Sequence, residues 1–309
     1  MPNKWLITGA NGNLGRRLIQ SLLSFAHDGD GSEPVEVIAV VRSSRAAETM
    51  ANLDLQADAR ERLQVITLDY TDATALAEAA QGARYVVHLV GILKEGGGAT
   101  YQQAHEDSCL ALVDALSSVE QLVYLSIVGS SPDASNACLA SKGRAEEILM
   151  RGAVPSCVIR VPMVLGEGDY ASFALAKRAR ARLSFTFRAE SLEQPIYAGD
   201  VVGAIQNAAL QKVGSVALDF GGPEVLTRKD LSQRAAHAIG RQAGAIVSLP
   251  IGLGLAFASL LQAVLSNPPI TTSMLGVLDH DDNIDIRRAQ ECLGLDTLTP
   301  LDQMLKNVL

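Results

Sequence analysis

Cysteine is sparse and scattered: Cys109, Cys138, Cys157 and Cys292 form no Cys-x-x-Cys pair, and no histidines cluster at metal-ligand spacing. This excludes a disulfide scaffold and a zinc module, predicts reduced thiols in a cytosolic compartment, and gives no metal site. Positive charge is also short, with 26 Lys and Arg against 34 Asp and Glu for a formal net charge of −8. Nucleic acid is thereby excluded as a general partner, because phosphate binding needs concentrated basic side chains. No internal repeat is evident. The first apolar strand begins within a few residues of Met1, which leaves no room for a charged region, an apolar region and a cleavage site. No secretory or organellar signal is therefore expected.

What is present is the composition of a folded chain: 309 residues, 48% hydrophobic and 19% charged. Its most informative stretch is Leu6-Ile7-Thr8-Gly9-Ala10-Asn11-Gly12-Asn13-Leu14-Gly15, where an apolar strand passes into a helix through glycines spaced three apart. Gly9 lets the chain turn sharply, Gly12 lets the backbone approach a pyrophosphate, and Gly15 lets the helix pack on the sheet. The anion would sit against free N–H groups at the helix N-terminus. A helical pattern over 16–25 and a second apolar strand over 35–41 supply the context such a motif requires.

Further apolar strands are predicted at 63–67, 85–90, 122–127 and 156–161, with helices over 73–80, 102–117 and 140–151. Continuous Val/Ile/Leu runs alternating with helices predict an α/β fold, a Rossmann-like doubly wound parallel sheet with a smaller C-terminal α/β lobe. Residues 1–165 form the NAD(P)-binding domain in this reading, with 194–222 returning to it. Residues 166–193 and 223–309 form the lobe.

Within 166–309 the pattern is less regular. The loop Gly166-Glu167-Gly168 precedes a basic amphipathic stretch, 173–183, carrying Lys177, Arg178, Arg180 and Arg182. It reads either as a solvated helix face or as a surface for an anionic ligand. Gln194-Pro195-Ile196-Tyr197 reads as a short strand, with Asp200 capping a helix from Val201, and Leu226-Thr227 introduces a helix through Ile239. The most apolar segment, 246–265, is interrupted by polar residues and stopped by Asn267-Pro268-Pro269. A buried or surface-packed helix is expected there, and no transmembrane span.

The second strand ends Val41-Arg42-Ser43-Ser44-Arg45, without the acidic residue that takes ribose hydroxyls in NAD-selective folds. A guanidinium with neighbouring hydroxyls suits a ribose 2′-phosphate, so NADP(H) is the expected cofactor, with NAD as the alternative. The plainer reading of Arg42 and Arg45 is that both are solvated charges. Asp69 and Tyr70 stand where an adenine edge would lie, and Asp72 reads as a helix cap.

Thr8-Gly9-x-x-Gly12-x-x-Gly15, the strand ending at Arg42, and Asp69-Tyr70 resemble the short-chain dehydrogenase/reductase superfamily. Leu89-Val90-Gly91-Ile92-Leu93, Ile159-Arg160-Val161-Pro162, Gln194 to Val201, Gly221 to Thr227 and Asn267 to Thr271 resemble its atypical branch. That branch includes the NAD(P)H-binding accessory subunit of respiratory complex I and its bacterial relatives. The resemblance implies a nucleotide held by Thr8, Gly9, Asn11, Gly12, Asn13, Leu14, Gly15, Arg42, Ser43, Arg45, Asp69, Tyr70, Val90, Gly91 and Lys142. Active members of the superfamily use a Tyr with a Lys four residues later. Here Lys142 is present and the Tyr position holds Cys138.

A thiol beside Lys142 could serve as acid or nucleophile; a small buried residue filling helix space is the plainer account. Ser126 matches the family's substrate-side hydroxyl region, and Tyr101 offers a replacement phenol. His88 and His105 read as packed core histidines.

Three functions follow as expectations. The first is an NADP(H)-binding protein that has kept the cofactor site and lost the usual acid. It would act as sensor, assembly factor or accessory component linked by resemblance to respiratory or quinone metabolism. The second is an active NADPH-dependent reductase or epimerase-like enzyme on a small or isoprenoid substrate. The third is a protein-interaction module stabilised by nucleotide. The partners expected are the dinucleotide and either a hydrophobic small molecule or a membrane-associated protein. The location expected is the cytoplasm, with a peripheral seat on the inner membrane as an option.

Overall fold

A parallel sheet of seven strands carries the molecule, and its order places β1 (Asn3–Thr8) beside both β2 (Val35–Val41) and β4 (Tyr85–His88). With β3 (Leu63–Thr67), β5 (Gln121–Ile127) and β6 (Ser156–Val161), the order is Val216–Asp219, β6, β5, β4, β1, β2, β3. The computed structural model describes residues 3–24, 34–265, 268–277 and 279–309. Phe25, which ends the helical pattern read from the sequence, and Asn267 lie outside the described residues.

Strand residues alternate between two cores. Trp5, Ile7, Val37, Ala39, Tyr85 and Val87 share one core with helix α1 (Asn13–Ser24) and helix Ala198–Leu210. Leu6, Ile38, Val40, Val86, Leu122 and Tyr124 share the other with helices Ala73–Ala79, Ser108–Ala115 and Ala137–Arg151. With both faces covered, the central strands are mainly apolar on both sides, and polar residues within them, such as Thr8, His88, Gln121, Ser126 and Arg160, are bonded inside the structure. The chain moves outward from β1 to β3 and then returns to β4 on the other side of β1. This reversal opens a crevice at the carboxyl ends of β1 and β4.

A third core of Leu165, Leu175, Leu226, Leu231, Met304 and Leu305 lies in the C-terminal lobe, around helices Tyr170–Arg180, Arg228–Ala238 and Leu301–Val308. Within 194–222, Ile196–Tyr197 forms a separate two-stranded pair with Val164–Leu165, and Val216–Asp219 joins the sheet edge beside β6.

The structure departs from the sequence reading in three places. The helix expected over 102–117 begins as a π-helix, Gln102–Asp107, before the α-helix Ser108–Ala115. Its turn accommodates the buried His105 and Ser108, whose hydroxyl donates to the Ala104 carbonyl at 2.9 Å. Asp200 does not cap its helix, which starts at Ala198. Its carboxylate instead accepts the Thr299 N–H at 2.9 Å and the Thr299 hydroxyl at 2.8 Å, pinning the C-terminal stretch. Segment 246–265 is not one helix. Ala245–Leu249 is a strand parallel to Leu183–Phe187, and Pro250, lacking an N–H, turns the chain into helix Ile251–Val264.

Candidate functional site

β1 ends at Thr8, and Gly9 follows at φ +71°, a backbone conformation that L side chains rarely adopt. A Cβ there would come within 2.9 Å of the Leu89 carbonyl at the end of β4. The Gly12 N–H closes the turn onto the Gly9 carbonyl at 3.0 Å, and the Arg16 N–H bonds the Gly12 carbonyl at 3.0 Å as α1 begins. At Gly15 a Cβ would lie 2.6 Å from the Ala10 oxygen, so the helix can approach the strand this closely only without a side chain. Over this turn opens a cavity of about 730 Å³, floored by Gly9, Asn11 and Gly12. Arg42, Ser43 and Asp69 lie at one end, and Gly91, Ile92 and Gln103 at the other. The glycine turn and the size and position of this crevice fit a nicotinamide dinucleotide.

At the β2 end, Arg42 is exposed on the cavity wall, and Ser43 caps helix Ser44–Ala51 by accepting the Ala46 N–H at 3.3 Å. Arg45 is exposed on that helix; the cavity wall there is made by Arg42, Ser43 and Ala46. Asp69 accepts both the N–H and the hydroxyl of Thr71 at 2.9 Å, and these bonds hold its carboxyl below the usual range. The Tyr70 hydroxyl accepts the Gly9 N–H and donates to the Val40 carbonyl, each at 3.3 Å. Tyr70 thus braces the ends of β1 and β2 against the segment after β3. Asp72 caps helix Ala73–Ala79.

Some residues assigned to the nucleotide from sequence are engaged elsewhere. Thr8 is fully buried, with its hydroxyl 2.6 Å from Nδ1 of His88, because the last β1 side chain on this face points into the sheet packing. Asn13 donates to the Glu167 carbonyl at 3.2 Å and to the Asp169 carboxylate at 2.5 Å, joining the glycine turn to the lobe. Leu14 packs against the core beneath α1. Gly15 serves the helix–strand approach, and Val90 and Gly91 line the cavity.

At the far end, Lys142 is buried beneath Gly91: its Nζ lies 3.1 Å from where a Gly91 Cβ would sit and donates to the Leu125 carbonyl at 3.0 Å. Burial pushes the Lys142 ammonium down to about 8. The Cys138 thiol, fully buried, donates to the Ile92 carbonyl at 3.5 Å, and burial pushes it up to about 11 despite the neighbouring Lys142. Burial therefore keeps the Cys138 side chain in its thiol form at neutral pH. Ser126 does not reach the cavity wall. It donates to Glu146 at 2.5 Å, and Glu146 is itself held by Arg160, so the hydroxyl satisfies a buried carboxylate. Tyr101 opens the π-helix, stacks on His105 at 5.7 Å between ring centroids, and donates its hydroxyl to the Leu93 carbonyl at 2.9 Å.

Both histidines are packed groups. His88 lies between Thr8 and Ser108, and burial pushes it down to about 3. His105, likewise near 3, accepts the Ile92 N–H at 3.1 Å and so fixes the backbone beside Gly91. The sequence reading missed Ala99, Gln103 and Ala104 on the cavity wall. The signal was Gly96-Gly97-Gly98, whose positive φ angles of 155°, 59° and 84° fold the loop over the crevice.

A family model of NAD(P)H-binding proteins matches residues 9–180. Ceramide reductase from Caulobacter vibrioides is 27% identical over 279 residues, covering 88% of this chain and 81% of its own. Among solved structures, UDP-glucuronic acid 4-epimerase from Bacillus cereus in complex with NAD superposes with a TM-score of 0.71. It is 18% identical, with 99% of this chain and 97% of that chain covered. The enzyme WbmH from Bordetella bronchiseptica in complex with NAD+ gives 0.71 at 15% identity, covering 100% and 97%. At these identities the structural likeness concerns the fold.

Proposed function

Because this chain belongs to the NAD(P)H-binding family, in the atypical branch of the short-chain dehydrogenase/reductase superfamily, we propose that it binds NADP(H) and has lost the phenolic acid of its active relatives. Its role in this reading is that of an accessory, assembly or sensor component linked to respiratory or quinone metabolism. The observation that carries the reading is Cys138: the position four residues before Lys142 holds a buried thiol bonded to a backbone carbonyl, with its proton tightly kept. Preference for the 2′-phosphate is supported by Arg42 on the cavity wall and by the lack of a carboxylate at the end of β2. Gly9, Asn11 and Gly12 would hold the pyrophosphate and Asp69 and Thr71 the adenine side, while Lys142, buried beneath Gly91 and off the cavity wall, would act on the nicotinamide end through its charge. When bound in reduced form, the group would supply a two-electron reductant.

A second reading, a reductase acting on an apolar carbonyl compound, is favoured by the likeness to ceramide reductase and by the retained Lys142. The proton would then come from solvent, or from Tyr101 on release of its bond to the Leu93 carbonyl, while Ser126 and Cys138 are engaged in the interior. The two readings separate in one assay: NADPH oxidation by the purified chain against quinones and long-chain ketones, beside calorimetric titration of NADPH. Tight binding without turnover supports the accessory reading. Turnover that falls on Tyr101→Phe replaces it with the reductase.

A further inference from the structure

The two-stranded ribbon of the lobe is patterned inside out. Leu183–Phe187 and Ala245–Leu249 run parallel, with Leu183 opposite Ala245 and Phe185 opposite Val247. Phe185 is 60% exposed and Leu183 and Val247 are exposed with it, while Ser184 and Thr186 point inward at 8% and 4%. A strand with one face on a core and one in water places its side chains the other way round. The helix that follows repeats the feature. Leu253, Phe257, Leu260 and Val264, at helical spacing of four, three and four, form one exposed stripe, while Gly254 faces Phe187 and Ala258 is buried.

From Gln242 to Leu278 the chain carries no charged side chain. Cations gather instead at the end of the ribbon where its strands begin. Arg182 immediately precedes Leu183 and receives the Ala245 N–H on its carbonyl, and Arg241 reaches the Arg180 carbonyl at 3.1 Å. Arg182 and Arg241 are both exposed, and no carboxylate pairs with either among the described residues.

We propose that this face of the lobe seats on the surface of an anionic lipid bilayer, the ribbon and the helix stripe entering the acyl boundary while Arg182 and Arg241 meet lipid phosphates. The chemistry favours lipid over a protein partner. The four side chains of the stripe are all aliphatic or aromatic, and Gln262 turns away to accept the Thr272 N–H at 2.8 Å, whereas a protein interface rims its apolar centre with hydrogen-bonding groups. Apolar surface bordered by unpaired arginines is the pattern of interfacial binding. No helix of the described residues is long and apolar enough to cross a membrane, so the fourteen-residue helix Ile251–Val264 lies in the plane of the surface. This inference stands apart from the nucleotide reading.

The test is sedimentation of the full chain, without nucleotide, with vesicles of phosphatidylethanolamine and phosphatidylglycerol and with vesicles of phosphatidylcholine alone. The chain should sediment with the anionic vesicles, less so at high salt. Phe257→Ser with Leu260→Ser should weaken binding about tenfold or more, and Arg182→Ala and Arg241→Ala about fivefold each on anionic vesicles only. Unchanged NADPH titration would show that these surface variants remain folded. Wild-type chain left in the supernatant, or equal sedimentation of every variant, overturns the proposal. So does a wild-type dimer that the Phe257→Ser, Leu260→Ser chain fails to form, since a second copy would then cover the stripe.

Discussion

The ammonium of Lys142 stands 4.4 Å above the centre of the Tyr124 ring, between that ring and the backbone of Gly91. The ring face and the Leu125 carbonyl compensate part of the cost of burying the charge, and the remainder appears as a lowered pKa.

Lys142 should make nucleotide binding and stability depend on pH with opposite signs. A dinucleotide is an anion, so its affinity should fall as pH rises through about 8, where Lys142 loses its charge. Stability runs the other way. Above 10.5 the amine is neutral folded and unfolded; as pH falls from 10.5 to about 8 only the unfolded chain takes up the proton, and stability is lost. The loss should be on the order of 3 kcal/mol, and flat below that window. Denaturant unfolding of wild type and Lys142→Met across the window checks it, since the variant should lack both dependences.

Arg42→Ala should weaken NADPH binding by about 2 kcal/mol, roughly thirtyfold, and leave NADH binding nearly unchanged. Arg45→Ala should do little, because that side chain stands outside the cavity wall. Calorimetry with both nucleotides decides it; equal losses for NADH and NADPH would remove the 2′-phosphate assignment.

The motif glycines should fail differently. Gly15→Ala forces a Cβ to 2.6 Å from the Ala10 oxygen, and should lower stability by about 1–3 kcal/mol. Gly12→Val meets only the Gly9 oxygen, at 3.2 Å for its Cβ, and should abolish nucleotide binding in a chain that still folds. Thermal unfolding beside titration separates the two effects.

Cys138 should resist alkylation by iodoacetamide at neutral pH, reacting appreciably only near pH 11, and Cys138→Ala should keep wild-type affinity for NADPH. Ser126→Ala should also keep it while costing about 1 kcal/mol of stability, because Glu146 retains Arg160. Peptide mapping by mass spectrometry and urea unfolding measure these outcomes. Rapid labelling of Cys138 would restore it as a reactive group.

The nucleotide cradle and the parallel sheet were written in local sequence. Gly9 and Gly15 are demanded by backbone geometry within a few residues, and strands covered on both faces read as long, mainly apolar runs. The Cys138 substitution was equally legible, since it is a matter of spacing from Lys142. Tertiary structure decided where hydroxyls, amides and exposed hydrophobes point. Ser126 answers to Glu146 and Thr8 to His88, across 20 and 80 residues of chain, so no local pattern could show that their hydroxyls are spent in the interior. Asp200, well placed for a cap, is taken by Thr299 at a separation of 99 residues. The apolar segment 246–265 left burial and surface packing both open in the sequence. Its exposure was settled by supply of partners: among the described residues Phe187 packs against Gly254 and the short helix Thr272–Gly276 packs against helix Ile251–Val264, while Leu253, Phe257, Leu260 and Val264 stay uncovered. Hydrophobicity in a sequence states a demand for cover, and only the assembled fold determines whether the same chain meets it.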